Sequence, residues 1–271
     1  MQSFPMRRFF AAGITGSTTL LLILGASTGG AATLEEIEAC VSANVPKKTL
    51  RQSQTLTVAD RKGSERRLEL DQEWKRFPED RSKSVLRVTS PPDMRGTAVL
   101  LIQNKDRSND IFSYLPELGN TRRLNSRSIS SSVFGSDFSY EDIEYLQNLV
   151  AGSDQKLLPD SRVDDRPVYV VESRTQGEAN SSYERVVTYI DAERCVLTRA
   201  EMYGTGDQLR KTMSANPAKV VARGEAWEAT EVRVEDLLQG TYSVLRIEES
   251  QRDVPIKDAV FTRGALERRG R

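Results

Sequence analysis

From Leu68 to Lys75 the chain alternates: Leu68, Leu70 and Trp74 fall on one parity, while Glu69, Asp71, Glu73 and Lys75 fall on the other. Successive side chains of a strand point to opposite faces, so the stretch reads as a strand with one dry and one wet face. Gly63, within Asp60-Arg61-Lys62-Gly63-Ser64, supplies the hairpin turn before it. Period two begins at Leu50, and further strands are expected at 84–89, 97–103, 110–115, 121–125, 167–175, 183–190, 195–203, 225–234 and 241–248. Polar or proline-bearing turns separate them: Pro91-Pro92, 116–120, a serine-rich loop at 126–132 that carries Arg127, 176–180 and 191–194. About ten strands at hairpin spacing, with two or three helices, predict a mainly β (α+β) protein. Its large antiparallel sheet would curl into part of a barrel.

Composition fits a thin core: 38% of residues are hydrophobic and 29% charged, as expected when one face of a sheet is wet. The formal net charge is 0, which gives no global field to attract nucleic acid or an anionic membrane surface. Residues 1–32 read as a secretory signal peptide, with Arg7 and Arg8, an apolar stretch from Phe9 to Leu24, and a small-residue site at Gly30-Ala31-Ala32. Its glycines, serines and threonines interrupt the run that a spanning helix would need. Cleavage would remove two arginines and no acids, leaving 37 basic against 39 acidic side chains, a formal charge of −2. No domain boundary is evident after it, so residues 33–271 are expected to form one domain in a bacterial periplasm. In that oxidising compartment two cysteines, Cys40 and Cys195, favour a disulfide, although their spacing alone does not bring them together.

The chain contains no histidine. That removes Ser-His-Asp and Cys-His nucleophile pairs, His-containing zinc sites and the usual neutral-pH base. Gly204-Thr205-Gly206-Asp207 lacks the third glycine and the βαβ setting of a dinucleotide loop. Adjacent acids such as Asp164-Asp165 point to opposite faces of a strand and do not converge. Basic pairs at 61–62, 66–67, 122–123 and 268–269 are dispersed, unlike a nucleic-acid groove. No enzyme activity, metal or cofactor is expected.

Two helix starts are written into the sequence. Thr33-Leu34-Glu35-Glu36 forms a capping box, followed by Leu34, Ile37 and Val41 on one face until Pro46. Ser139 is placed as an N-cap with Asp142 as its reciprocal partner, and Phe138 can pack on Ile143 as a hydrophobic staple. Ile143, Leu146, Leu149 and Val150 then form an apolar stripe opposite Glu141, Glu144 and Asn148, on a helix near residues 140–150.

Four runs are distinctive: 91–101 (PPDMRGTAVLL), 110–116 (DIFSYLP), 121–124 (TRRL) and 134–142 (FGSDFSYED). Together with the closing 254–262 (VPIKDAVFT), this series resembles the periplasmic outer-membrane lipoprotein-sorting protein family with the LolA-like fold. The resemblance spans most of the chain after the signal and is densest at 85–145. It implies an incomplete antiparallel barrel whose concave apolar face is covered by helices, and a carrier that shelters acyl chains of a lipid or acylated protein. Such a role needs an apolar concave face, for which Leu68, Leu70, Trp74, Leu101 and Tyr114 are the candidates. Phe138, Tyr140, Ile143 and Leu146 would belong to the covering helix, and Arg122 or Arg123 would meet a head group or a partner. An inner-membrane transporter and an outer-membrane acceptor are the partners the resemblance implies. The alternative is a periplasmic interaction or sensor module working with an inner-membrane transporter or signalling protein, since LolA-like folds are reused in that way.

Overall fold

The computed structural model describes residues 32–79, 81–104, 109–125, 128–147, 149, 154–174 and 181–269. The signal expected at 1–32 lies outside the described residues except for Ala32, as do Ser126, Arg127, Asn148, Val150 and the turn at 176–180. The described chain opens on the first capping box: Thr33 N–H donates to Glu36 Oε2 (2.8 Å), and Glu36 N–H donates back to Thr33 Oγ1 (3.2 Å). Helix α1 (Leu34–Ala43) follows, with Ile37 buried.

Six strands then form a meander: β1 (Thr49–Ala59), β2 (Glu65–Arg76), β3 (Ser82–Ser90), β4 (Ala98–Ile102), β5 (Asp110–Leu115) and β6 (Asn120–Arg123). The β1–β2 pairing runs unbroken from Thr49↔Lys75 to Ala59↔Glu65. Asp60 builds its turn, its Oδ1 accepting the backbone N–H groups of Lys62 (2.8 Å) and Ser64 (2.9 Å), and Gly63 takes the required positive φ of 79°.

After β6 the chain crosses one face of the sheet. It carries helix α2 (Tyr140–Gln147) and then starts a second meander at the far edge: β7 (Gln155–Val163), β8 (Arg166–Arg174), β9 (Arg185–Asp191), β10 (Leu197–Gly204) and β11 (Gln208–Ala215). A separate ribbon, β12 (Val220–Arg223) with β13 (Ala226–Ala229), leads to β14 (Glu231–Asp236), β15 (Thr241–Arg252) and helix α3 (Arg263–Arg269). The order β6-β5-β4-β3-β2-β1-β15-β14-β11-β10-β9-β8-β7 makes one 13-stranded sheet, antiparallel throughout. Strands β6 and β7 are its two free edges, so the curled sheet is not closed.

The mainly β, curled antiparallel architecture is as the sequence predicts, but the strand number is higher than ten. Strand β7 is an edge strand with no buried residue and a proline at 159, so it has no alternation to read. In β11 the buried positions are Lys211, Met213 and Ala215, and the inward lysine disguises the pattern. The single strand expected at 225–234 is two, because Thr230 changes partners. Its N–H donates to Lys219 O (2.8 Å) in the ribbon, and its carbonyl accepts from Ile247 N–H (2.8 Å) in the main sheet.

The two faces are buried differently. The inner face carries a cluster that includes Leu56, Leu68, Leu70, Val88, Leu101, Phe138, Met202 and Met213. Helix α1 lies over the same face further along, where Ile37 meets Val171 and Ile190 of β8 and β9. On the opposite face Ile256, Val260, Phe261 and Leu266, from the C-terminal segment and α3, cover Val85, Ala98, Leu100, Phe112 and Tyr114. Two helices therefore cover the inner face and the third backs the sheet from outside. The described residues from Ala32 onward form one compact unit, and no helix among them is long and apolar enough to cross a membrane.

Candidate functional site

Between the inner face and its two covering helices lies a cavity of about 810 Å³. Leu56, Leu70 and Leu86 form its floor, Val232, Leu245 and Ile247 one wall, and Ile143, Leu146 and Leu149 its roof. Ligand cavities commonly hold 300–1,000 Å³, so this one is large enough for a substantial organic ligand.

Several expected site residues meet here and others do not. Leu70, Trp74, Phe138, Ile143 and Leu146 line the cavity. Leu68, Leu101 and Tyr140 are buried in the same inner cluster behind its wall. Tyr114 lies on the opposite face, because it pairs with Ala98 whereas Leu101 pairs with Ile111. Ile111 and Tyr114 are three residues apart, an odd separation that puts them on opposite sides of the strand. Arg122 and Arg123 are exposed on the edge strand β6, away from the cavity, and Arg123 forms an ion pair with Asp110.

Helix α2 is held by its N-terminal end. Ser139 N–H donates to Asp142 Oδ2 (2.7 Å) and Asp142 N–H to Ser139 Oγ (3.1 Å), completing the second capping box. Asp142 is fully buried at 0% exposure. It also accepts from Tyr183 OH (2.8 Å) and from Lys211 Nζ (3.2 Å), itself 6% exposed. Burial first, and then the Asp142 charge, push the Tyr183 phenol far above its ordinary value, so it acts as a donor. Lys211 Nζ further donates to Asp137 O (2.7 Å), and Asp137 Oδ2 accepts from Ser243 Oγ (2.6 Å). Glu141 accepts from Ser182 N–H (3.0 Å) and Ser182 Oγ (2.7 Å). Tyr145 shares a hydrogen bond with Thr188 of β9, and burial raises its pKa too. The polar members of the 135–142 run thus latch the crossing segment to Ser182 and Tyr183 just before β9, to β11 and to β15, while Phe138 faces the cavity.

Helix α1 is held by its C-terminal end. Cys40 is disulfide-bonded to Cys195 with a Cα–Cα distance of 5.7 Å. The cap residue Asn44 donates from Nδ2 to Arg194 O (2.8 Å) and Cys195 O (3.0 Å), and its Oδ1 accepts from Trp227 N–H (2.7 Å). Nearby, Asp191 accepts from Arg166 and from the N–H groups of Glu193 (3.0 Å) and Arg194 (2.8 Å). Burial alone would raise the Asp191 carboxyl, but these donors outweigh it and hold it below the usual range.

One part of the cavity was not anticipated from sequence. Gln52 and Gln54 are each 4% exposed and sit on the inner face of β1 beside Gln72 of β2. Gln54 Nε2 donates to Gln52 Oε1 (2.8 Å) and Gln72 Oε1 (2.6 Å), and Gln72 Nε2 donates to Ser84 Oγ (3.3 Å). Gln52 Nε2 donates to Glu228 Oε1 (3.0 Å), whose carboxylate is paired with Arg223 (3.0 Å) and Arg252 (3.6 Å). The available signal was parity: Gln52 and Gln54 share the inward register of Leu50, Leu56 and Val58.

A family model described as "uncharacterized protein" matches residues 80–268. No curated protein matches the chain. Among solved structures, a DUF1329 family protein from Desulfovibrio piger superposes with a TM-score of 0.79 at 24% identity, covering 86% of this chain and 97% of that one. A putative outer membrane lipoprotein-sorting protein domain from Vibrio parahaemolyticus gives 0.76 at 20% identity, over 87% and 100%. A LolA superfamily protein from Nitrosomonas europaea gives 0.69 at 21%, also over 87% and 100%. These likenesses establish the fold, and the family model spans well over half of the sequence. The chain therefore belongs to this DUF1329-like family of uncharacterized proteins and has the LolA-like fold.

Proposed function

We propose that the protein is a periplasmic carrier for a lipid or an acylated protein, exported by residues 1–32 and folded as one domain over 33–271. The observation that carries this reading is the cavity of about 810 Å³, apolar over much of its wall and roofed by helix α2, which polar side chains tie to the strands below. Each acyl CH₂ taken out of water contributes about 0.8 kcal/mol. A chain of about sixteen carbons therefore brings roughly 12 kcal/mol, enough to offset the several kcal/mol of freedom lost on binding. Leu70, Trp74, Phe138, Ile143 and Leu146 would touch the chain, with Leu68, Leu101 and Tyr140 supporting them. Binding of this kind requires no catalysis, metal or cofactor. Arg122, exposed at the sheet edge, is the better placed of the two arginines for a partner, since Arg123 is engaged by Asp110. A carrier implies an inner-membrane donor and an outer-membrane acceptor.

The test is mass spectrometry of an organic extract from protein purified gently out of the periplasm. A defined acylated species in stoichiometric amount is the expected result. An empty extract from folded protein overturns the carrier reading and favours a module that binds a partner protein.

A further inference from the structure

The cavity is not uniformly apolar, and its polar part has a definite chemistry. Gln52, Gln54, Gln72, Ser84 and Glu228 line the end near the α1 cap, joined by hydrogen bonds from Ser84 through to Glu228. Buried amides are costly unless bonded, and a cavity evolved only for hydrocarbon would be expected to avoid them. The ladder satisfies these groups without exhausting them. Gln54 gives both amide hydrogens to its neighbours, whereas Gln72 gives one to Ser84, which accepts and so keeps its own hydroxyl hydrogen to donate. Glu228, the carboxylate of the ladder, is neutralised by Arg223 and Arg252. The lining also includes Arg76, Gln103 and Arg252, and within it the Gln72 amide and the Ser84 hydroxyl are a pair of neutral donors beside Leu70 and Leu86.

We infer that the Gln72–Ser84 end of this ladder hydrogen-bonds the ester or amide carbonyl where an acyl chain joins its head, so that the site takes a linked acyl chain in one orientation. The inference rests on the carrier reading and refines it. The chain lies along Leu56, Leu70 and Leu86 under Ile143 and Leu146, and the carbonyl meets the donors of Gln72 and Ser84. The same junction occurs in a glycerolipid and in an acylated protein.

The test uses the full mature chain and two kinds of ligand. N-phenyl-1-naphthylamine is an apolar probe without a carbonyl, and monolauroylglycerol is an acyl ester read by displacing it. Replacing Gln54→Leu together with Gln72→Leu should lower the ratio of monolauroylglycerol to naphthylamine affinity about tenfold, the scale of one or two lost hydrogen bonds. Ser84→Ala perturbs the fold least and should lower the same ratio about threefold, which keeps the test alive if the double variant does not fold. Parallel displacement by lauroyl lysophosphatidylethanolamine and by an N-lauroylated tetrapeptide shows which source of the junction binds more tightly, and both should weaken in the variants. Unchanged ratios with naphthylamine still bound overturn this inference and leave the carrier reading standing. Failure of folded wild-type protein to bind any of these ligands overturns both.

Discussion

Replacing Lys211 with Met tests whether the roof of the cavity is locked by a buried ion pair. Lys211 is 6% exposed and Asp142 is 0% exposed, with Nζ and Oδ2 3.2 Å apart. Methionine retains most of the aliphatic stem, so the perturbation is chiefly loss of the cation. Asp142 would keep its hydrogen bonds from Ser139 N–H and Tyr183 OH but become an uncompensated buried charge. Removing one partner of such a pair costs about 3–5 kcal/mol. At about 2–4 °C per kcal/mol for a domain of this size, the melting temperature should fall by about 6–20 °C. Urea unfolding should show a lower midpoint at an unchanged slope. Adding Asp142→Asn should recover part of the loss, because the buried charge goes with its partner. Amide exchange should quicken in α2 before it does in β3 and β4, since the latch sits at the helix start. A Lys211→Met midpoint within about 1 kcal/mol of wild type, or a double variant no more stable than the single, would refute the reasoning.

Replacing both Cys40 and Cys195 with Ser opens a loop spanning 155 residues, and the chain-entropy model puts the loss near 5 kcal/mol; calorimetry should show a lower Tm, with exchange fastest in α1. Asp191 carries a depressed pKa, so its stabilisation is present above the unfolded value of about 3.9 and is lost as pH falls through the lower folded value. Asp191→Asn should therefore be less stable than wild type at pH 7, with the difference shrinking below about pH 4 in pH-dependent melting; a difference independent of pH would refute that assignment.

The parts legible in sequence are those decided by neighbours a few residues apart. Both capping boxes depend on a residue and its third successor, and both form. The β2 alternation depends on a two-residue repeat, and Leu68, Leu70 and Trp74 are buried while Glu69 and Asp71 are exposed. Where a strand's inward positions hold unusual residues, the same method fails. Lys211 and the paired glutamines are polar residues at inward positions, and nothing local announces a partner 69 or 176 residues away.

Tyr114 shows the other kind of limit. Its membership of a strand was plain, but which of the two buried faces it occupies depends on β4–β5 register and on a C-terminal segment that covers the outside of the sheet. Asp142 looked like a helix cap and is one, yet its second role as anion for Lys211 exists only because β11 passes beneath it. Period, caps and turns are short-range quantities set by backbone geometry, so the chain's own order specifies them. The cavity, the latch over it and the polar ladder within it arise where two meanders meet at β1 and β15. Those contacts join residues far apart along the chain, and only folding brings them within hydrogen-bonding distance.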